Sequence, residues 1–297
     1  MTSTKTFRRA SLVGQRKKVG GAEIVRLPSK SDHDPIGYRR RRRRLEMLLA
    51  GGVPVLFVGL WEICIRADML DRRFFPAPST IVRTGRELIA AGTLQEALLT
   101  STRRVLLGFL LGTAVGMIVG IAMALSRWLR IALDPLLSAF YTVPKLALLP
   151  LLLLIFGLGE RPIVFLIAIS VFFFVWISTM EAIAQVPLAY RDGITQFTTR
   201  RWPLFRHVLL PASLPAIFVG MRIAMGVAVL VMVAAEFVQG RGGIGYLIWN
   251  SWNLLIARRM YVGIVCVALM GVVTMYLVRI LARILTPWAD EQDAIRL

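Results

Sequence analysis

The chain has 297 residues, 57% of them hydrophobic, with 36 Lys and Arg against 17 Asp and Glu. Several apolar runs reach the roughly 20 residues needed to cross a bilayer core, which excludes a soluble globular domain and defines an all-α polytopic membrane protein. Much of the +19 charge lies in the N-terminal tail and between apolar runs, where Lys and Arg orient helices and meet anionic lipid. No nucleic-acid fold signature accompanies it, so nucleic acid is not an expected partner.

Residues 1–44 are polar and basic without helical periodicity, and read as a disordered cytoplasmic tail. The unbroken run Arg39 to Arg44 stands directly before apolar sequence, which places the N-terminus inside. The membrane domain is expected over 45–285, with a short cytoplasmic tail over 286–297. Its first span, 45–65, contains Gly51, Gly52 and Pro54, which should bend it. Residues 68–92 follow outside, where Ser79 is a candidate N-cap for a short helix. Thr93 and Glu96 form a candidate capping box opening a helix to about Leu125. At 1.5 Å per residue that helix is about 48 Å long, so its first turns, with Arg103 and Arg104, stand at or beyond the interface. Gly108, Gly112, Gly116 and Gly120 recur every four residues and form a smooth stripe for close helix approach, either within the chain or between two copies.

Residues 126–134 read as a short inner loop. The third span, 136–158, carries Pro144 and Pro150, which should interrupt it. Lys145 between them is an ionisable group in apolar sequence, either on a translocation path or snorkelling to the inner surface. A tight turn over 157–161 leads to a fourth span, 163–180. A fifth, 216–238, carries Glu236 near its outer end, a candidate for the path or gate. The loop 239–247 lies outside, and a sixth span, 261–281, returns inside. The total is six spans with both termini cytoplasmic.

Between the fourth and fifth spans lies a polar island, 181–215. It carries Arg191, Arg200, Arg201 and Arg206 against Glu181 and Asp192, with Trp202, Phe205 and several leucines. It reads as two short helices at the membrane surface, held there by lipid or by a cytoplasmic partner that accepts their apolar face.

No catalytic constellation is present. His33 and His207 lie in unrelated segments, and there is no G-x-S-x-G or H-E-x-x-H. Cys64 and Cys266 lie in apolar runs without metal-site neighbours, so neither a disulfide, a metal nor a cofactor is expected. The sequence contains no Gly-Lys dipeptide and hence no P-loop. If transport is ATP-driven, hydrolysis belongs to another chain. An ATP-independent secondary transporter or channel is the alternative, calling for an inverted repeat or intramembrane proton-relay carboxylates.

The stretch RRWPLFRHVLLPASLPAIFVGMRIAMG resembles the permease subunits of bacterial ABC importers, in the branch that handles nitrate, aliphatic sulfonates and taurine. AAEFVQGRGGIGYL, LPLLLLIFGLGE and FFPAPST carry the same resemblance, which covers about residues 74–281. That family has a cytoplasmic signature of Glu-Ala-Ala, three residues, Gly, nine residues, Ile, any residue, Leu-Pro. Val208, Leu210 and Pro211 match its end. Asp192, Gly193 and Ile194 stand where Glu-Ala-Ala belongs, and Thr198 stands at the Gly, where a β-branched residue resists positive φ.

The resemblance implies a type I importer fold and a bacterial inner-membrane location. It implies assembly with two ABC ATPase subunits, a second permease chain forming a homodimer, and an extracytoplasmic solute-binding protein. The short helices of the island would then dock in a groove of the ATPase. Asp192, Thr198, Arg200, Arg201, Trp202, Phe205, Arg206, Leu210 and Pro211 are the expected coupling residues, with Trp202, Phe205 and Leu209 as apolar anchors.

Overall fold

The computed structural model describes residues 16–19, 22–25, 35–187, 201–239 and 241–289. The chain divides into two compact units, Met1–Leu70 and Asp71–Leu297.

In the first unit, β1 (Arg16–Val19) pairs antiparallel with β2 (Ala22–Val25), Arg16 opposite Val25. Helix α1 spans Pro35–Arg66, and its part Leu45–Arg66 is long and apolar enough to cross a membrane. The structure thus differs from the structureless tail expected to residue 44. A hairpin forms, and the arginine run lies inside a helix opened by Pro35, a residue suited to the first helical position because its missing N–H has no partner there. On the last turn of α1, Arg66 pairs with Glu62 at 2.8 Å.

The second unit is a helical bundle: α2 (Pro78–Ala90), α3 (Thr93–Leu125), α4 (Arg127–Thr142), α5 (Leu149–Phe156), α6 (Glu160–Ala184), α7 (Leu210–Gln239), α8 (Ile244–Asn253) and α9 (Ala257–Leu285). Five helical stretches of the described chain are long and apolar enough to span, and the bent pair α4–α5 makes a sixth when it is counted as one span.

Several boundaries differ from the sequence reading, each for an identifiable reason. Ala77 caps α2 with Pro78 following, so Ser79 is already inside the helix. Gly92, at φ +76°, takes the N-cap of α3 and accepts from Glu96 N, so Thr93 is helical and the capping box does not form. The expected inner loop at 126–134 contracts to Ser126, whose hydroxyl accepts from Leu129 N at 3.3 Å and starts α4 at once. The third span breaks at Pro144, which forces Val143 into extended geometry and ends α4. Pro150 opens α5 instead of interrupting it. The two halves meet at 91°.

The core is built on the contact of α3 with α6. A Cβ on Gly108 would lie 2.6 Å from the Ile167 side chain. On Gly112 it would lie 2.4 Å from Ala168 O, on Gly116 2.9 Å from Phe172 O, and on Gly120 2.8 Å from Thr179 Cβ. The glycine stripe is therefore filled within the chain. α7 packs on α6, and Val105, Ile167, Val171, Val175, Ala224, Ala228 and Met232 form one buried apolar cluster.

Gly112→Ala is expected to destabilise the bundle by about 1–3 kcal/mol, the usual cost of overpacking. Gly271→Ala, with nothing within 4 Å of its added Cβ, should be neutral or stabilising. Apparent melting temperatures in detergent check both.

Candidate functional site

The two ends of α3 and α7 carry different chemistry. At one end lies the segment that the sequence reading made the docking site. Asp192, Thr198 and Arg200 lie outside the described residues. Arg201 opens a short helical turn, Arg201–Leu204, which continues through a π turn, Phe205–Leu209, into α7. The fifth span therefore runs Trp202–Gln239, 38 residues, and does not begin at residue 216. Residues 188–200, which with 201–215 were expected to form short surface helices, lie outside the described residues.

Two prolines explain that geometry. Pro211 has no N–H to donate, and its ring would clash with the carbonyl one turn back, so the helix widens there. Leu210 N accordingly bonds to Phe205 O, five residues back. Pro215 likewise leaves the Pro211 carbonyl without its helical donor, and the indole of Trp288 supplies one at 3.1 Å.

Phe205 and Leu209 are buried with Ile183 and Val186, and Ile121, Ala124 and Leu210 pack around them. The expectation that Phe205 and Leu209 anchor in a partner's groove is thus corrected. Their rings and branches fix the foot of α7 to α3 and α6. Trp202 remains 63% exposed, its ring 5.7 Å from that of Phe205, and Arg206 is exposed beside it. His207 Nδ1 lies 3.1 Å from Pro203 O.

At the other end, Glu236 is 1% exposed. Arg104 Nη1 donates to its Oε1 at 2.7 Å, Ser101 Oγ donates at 2.9 Å, and Gly245 N donates to Oε2 at 2.8 Å. Ser101 Oγ also accepts from Ile244 N at 2.8 Å, and Arg104 donates to the carbonyls of Gly242 and Arg241 at 3.1 and 3.3 Å. A Cβ on Gly243 would sit 2.3 Å from Glu236 Oε1, and one on Gly245 2.7 Å from Glu236 Cβ. Gly242 and Gly243 have φ of +66° and +97°. The Gly-Gly-x-Gly spacing is what lets backbone approach the carboxylate. Beside the cluster, Arg103 lies 3.8 Å from Glu160, and Gln239 donates to Gly159 O. Glu236 therefore faces no opening in this conformation. It ties α3, α7 and the start of α8 together.

Lys145 lies at the break between α4 and α5. Its ammonium donates to the carbonyls of Phe140, Tyr141 and Val143 at 3.1, 2.6 and 2.8 Å, and lies 4.6 Å from the Phe173 ring centroid. It caps the broken end of α4, where unpaired carbonyls and the negative helix end both favour a cation. Lys145 and Glu236 share no hydrogen bond or ion pair.

Sequence reading found Glu236 but missed Ser101, Arg104 and Trp288. The signals were Ser101 and Arg104 at an i, i+3 spacing on one helix face, and glycines close after an acidic residue. For Trp288 no signal existed beyond its type.

The arrangement is a helical membrane-protein fold shared with chains of solved ABC transporters. A chain of the MetNI methionine ABC transporter in an inward-facing conformation superposes with a TM-score of 0.60 at 16% identity, over 66% of this chain and 98% of that one. A chain of an amino acid ABC transporter gives 0.53 at 14%, over 69% and 97%. The sequence places it further. Residues 112–289 match the family described as binding-protein-dependent transport system inner membrane component, and the chain belongs to that family. Several of its relatives carry the names of the branch that the motifs resembled. It is 32% identical over 92% of its length to SsuC of Bacillus subtilis, by name an aliphatic sulfonates transport permease, and spans 99% of that protein. It is 29% identical to the taurine transport permease TauC of Escherichia coli, over 83% of this chain and 91% of that one. It is 31% identical to the nitrate import permease NrtB of Synechococcus elongatus, over 72% and 82%.

Removing one partner of the buried pair should cost far more than removing both. Glu236→Ala leaves Arg104 unpaired and is expected to lose about 3–5 kcal/mol. Arg104→Met with Glu236→Leu should recover most of that stability, read as melting temperature in detergent.

Proposed function

We propose that the chain is the permease subunit of an ATP-driven importer for a small anionic solute of the sulfonate, taurine or nitrate type. Two copies form the translocation path, two ABC ATPase subunits bind on the cytoplasmic side, and an extracytoplasmic binding protein delivers the solute. Both termini and the Trp202 end of α7 face the cytoplasm, an orientation favoured by Arg39 to Arg44. Membership of the binding-protein-dependent family supports the class, and the names of the relatives support the solute.

The observation that carries the coupling is the foot of α7. An exposed Trp202 and Arg206 stand on a turn whose neighbours Phe205 and Leu209 are locked in the core. A partner that holds Trp202 and pairs with Arg206 therefore grips the whole of α7, because the helix is continuous to Gln239. An exposed indole beside a guanidinium is the composition of an interface anchor. Nucleotide binding then needs only to favour one of two arrangements of the ATPase pair to move the spans. Asp192, Thr198, Arg200 and Arg201 complete this contact in the proposal. Membrane lipid covers the remaining apolar faces.

Trp202→Ala with Arg206→Ala should abolish co-purification with the ATPase while membrane insertion and melting temperature stay unchanged. Full ATPase recovery with that double variant contradicts the coupling assignment.

A further inference from the structure

The Glu236 cluster lies at the far end of α7 from Trp202, and the coupling contact does not require it. Its chemistry argues against a purely structural part. A buried ion pair adds little net stability, because desolvating two charges offsets most of their attraction, and apolar side chains of the same volume serve as well. Arg104 Nε is buried with no partner among the described residues, so the network is incompletely satisfied. The use for which such pairs are best attested is to select one of two arrangements.

The segment Arg241–Gly243 lies directly against this cluster. It touches the cluster through backbone alone, the carbonyls of Arg241 and Gly242 accepting from Arg104. Gly243 lies directly against the carboxylate with no side chain between them. On its other side, Gly242 and Gly243 line a cavity of about 410 Å³ whose walls include Glu87, Glu96, Tyr246 and Arg259. A cavity with mixed polar and apolar walls thus borders the same glycines that touch the buried ion pair. Displacing that backbone would join the two and replace protein hydrogen bonds with hydration.

We infer that Ser101, Arg104 and Glu236 form a latch that opens in the transport cycle, releasing Arg241–Gly243 from the end of α7 and opening the ion pair to the cavity. Ser101 and Arg104 are positioning residues in this device. Continuity of the helix from Trp202 links the latch to the cytoplasmic end, about 50 Å away at 1.5 Å per residue. The link to ATP rests on the importer reading; the latch itself does not.

Ile244 reports on the latch, since it is fully buried and its backbone N–H bonds to Ser101. The full chain carrying Cys64→Ser, Cys266→Ser and Ile244→Cys is solubilised and treated with a water-soluble maleimide, alone and with its ATPase partner. Labelling should be slow in the resting protein. It should rise about tenfold or more during ATP hydrolysis, within the usual range of coupling between sites. Adding Glu236→Gln should raise it similarly without any partner, and Arg104→Lys, which keeps the charge, should give a smaller rise. A cysteine at Ala228, buried midway along α7, should stay unlabelled throughout; if Glu236→Gln exposes it, that variant is unfolded and Arg104→Lys decides. Labelling that stays slow both in turnover and in the folded latch variants overturns the latch. Failure of the ATPase to co-purify counts against the importer reading instead, and the partner-free variants still decide the latch.

Discussion

Four glycines let α3 lie against α6 so closely that the carbonyls of Ala168, Phe172 and Trp176 occupy space a Cβ would need. Between helices in lipid there is no hydrophobic drive toward association, so packing of this kind supplies the attraction. Once α3 and α6 are joined, α7 has a surface to pack on, and Ala224, Ala228 and Met232 are buried completely. The chemistry at both ends of the bundle follows from that alignment. One end of α3 offers Ile121 and Ala124 to Phe205, and the other offers Ser101 and Arg104 to Glu236.

The ends are held by opposite means. The foot of α7 is held by apolar burial, which is non-directional. The other end is held by a directional hydrogen-bond network around one buried ion pair. A helix fixed tightly at one end and through a charge pair at the other suits an element that must move as a unit. The broken span α4–α5 is a third solution, where Lys145 donates to the carbonyls that Pro144 leaves free. Trp288 does the same for the carbonyl freed by Pro215. In a bilayer such carbonyls cannot turn to water, and at these two breaks a side-chain donor supplies the partner.

Span count, helical class and family were legible because each rests on a property summed over many residues. Apolar run length survives errors at every boundary, and the glycine stripe showed its period directly. What could not be read depends on which distant groups meet. Pro211 and Pro215 looked like the end of the coupling segment, because a proline's effect on a helix depends on whether a π turn and a remote indole absorb it. Phe205 looked like a docking anchor because its ring has the same type whether it faces a partner or Ile183. Arg104 looked interfacial because its partner is 132 residues away. Lys145 was noticed for its charge, but its role came from local backbone geometry created by Pro144.

The central claim is that this chain forms the path of an ATP-driven importer. Uptake of labelled taurine, an alkanesulfonate and nitrate into proteoliposomes tests it most directly, with the chain, its ATPase and its binding protein present and ATP in the compartment facing the ATPase. The account predicts uptake of one of these anions that requires both ATP and the binding protein. Uptake that proceeds without ATP and follows an imposed ion gradient would contradict it.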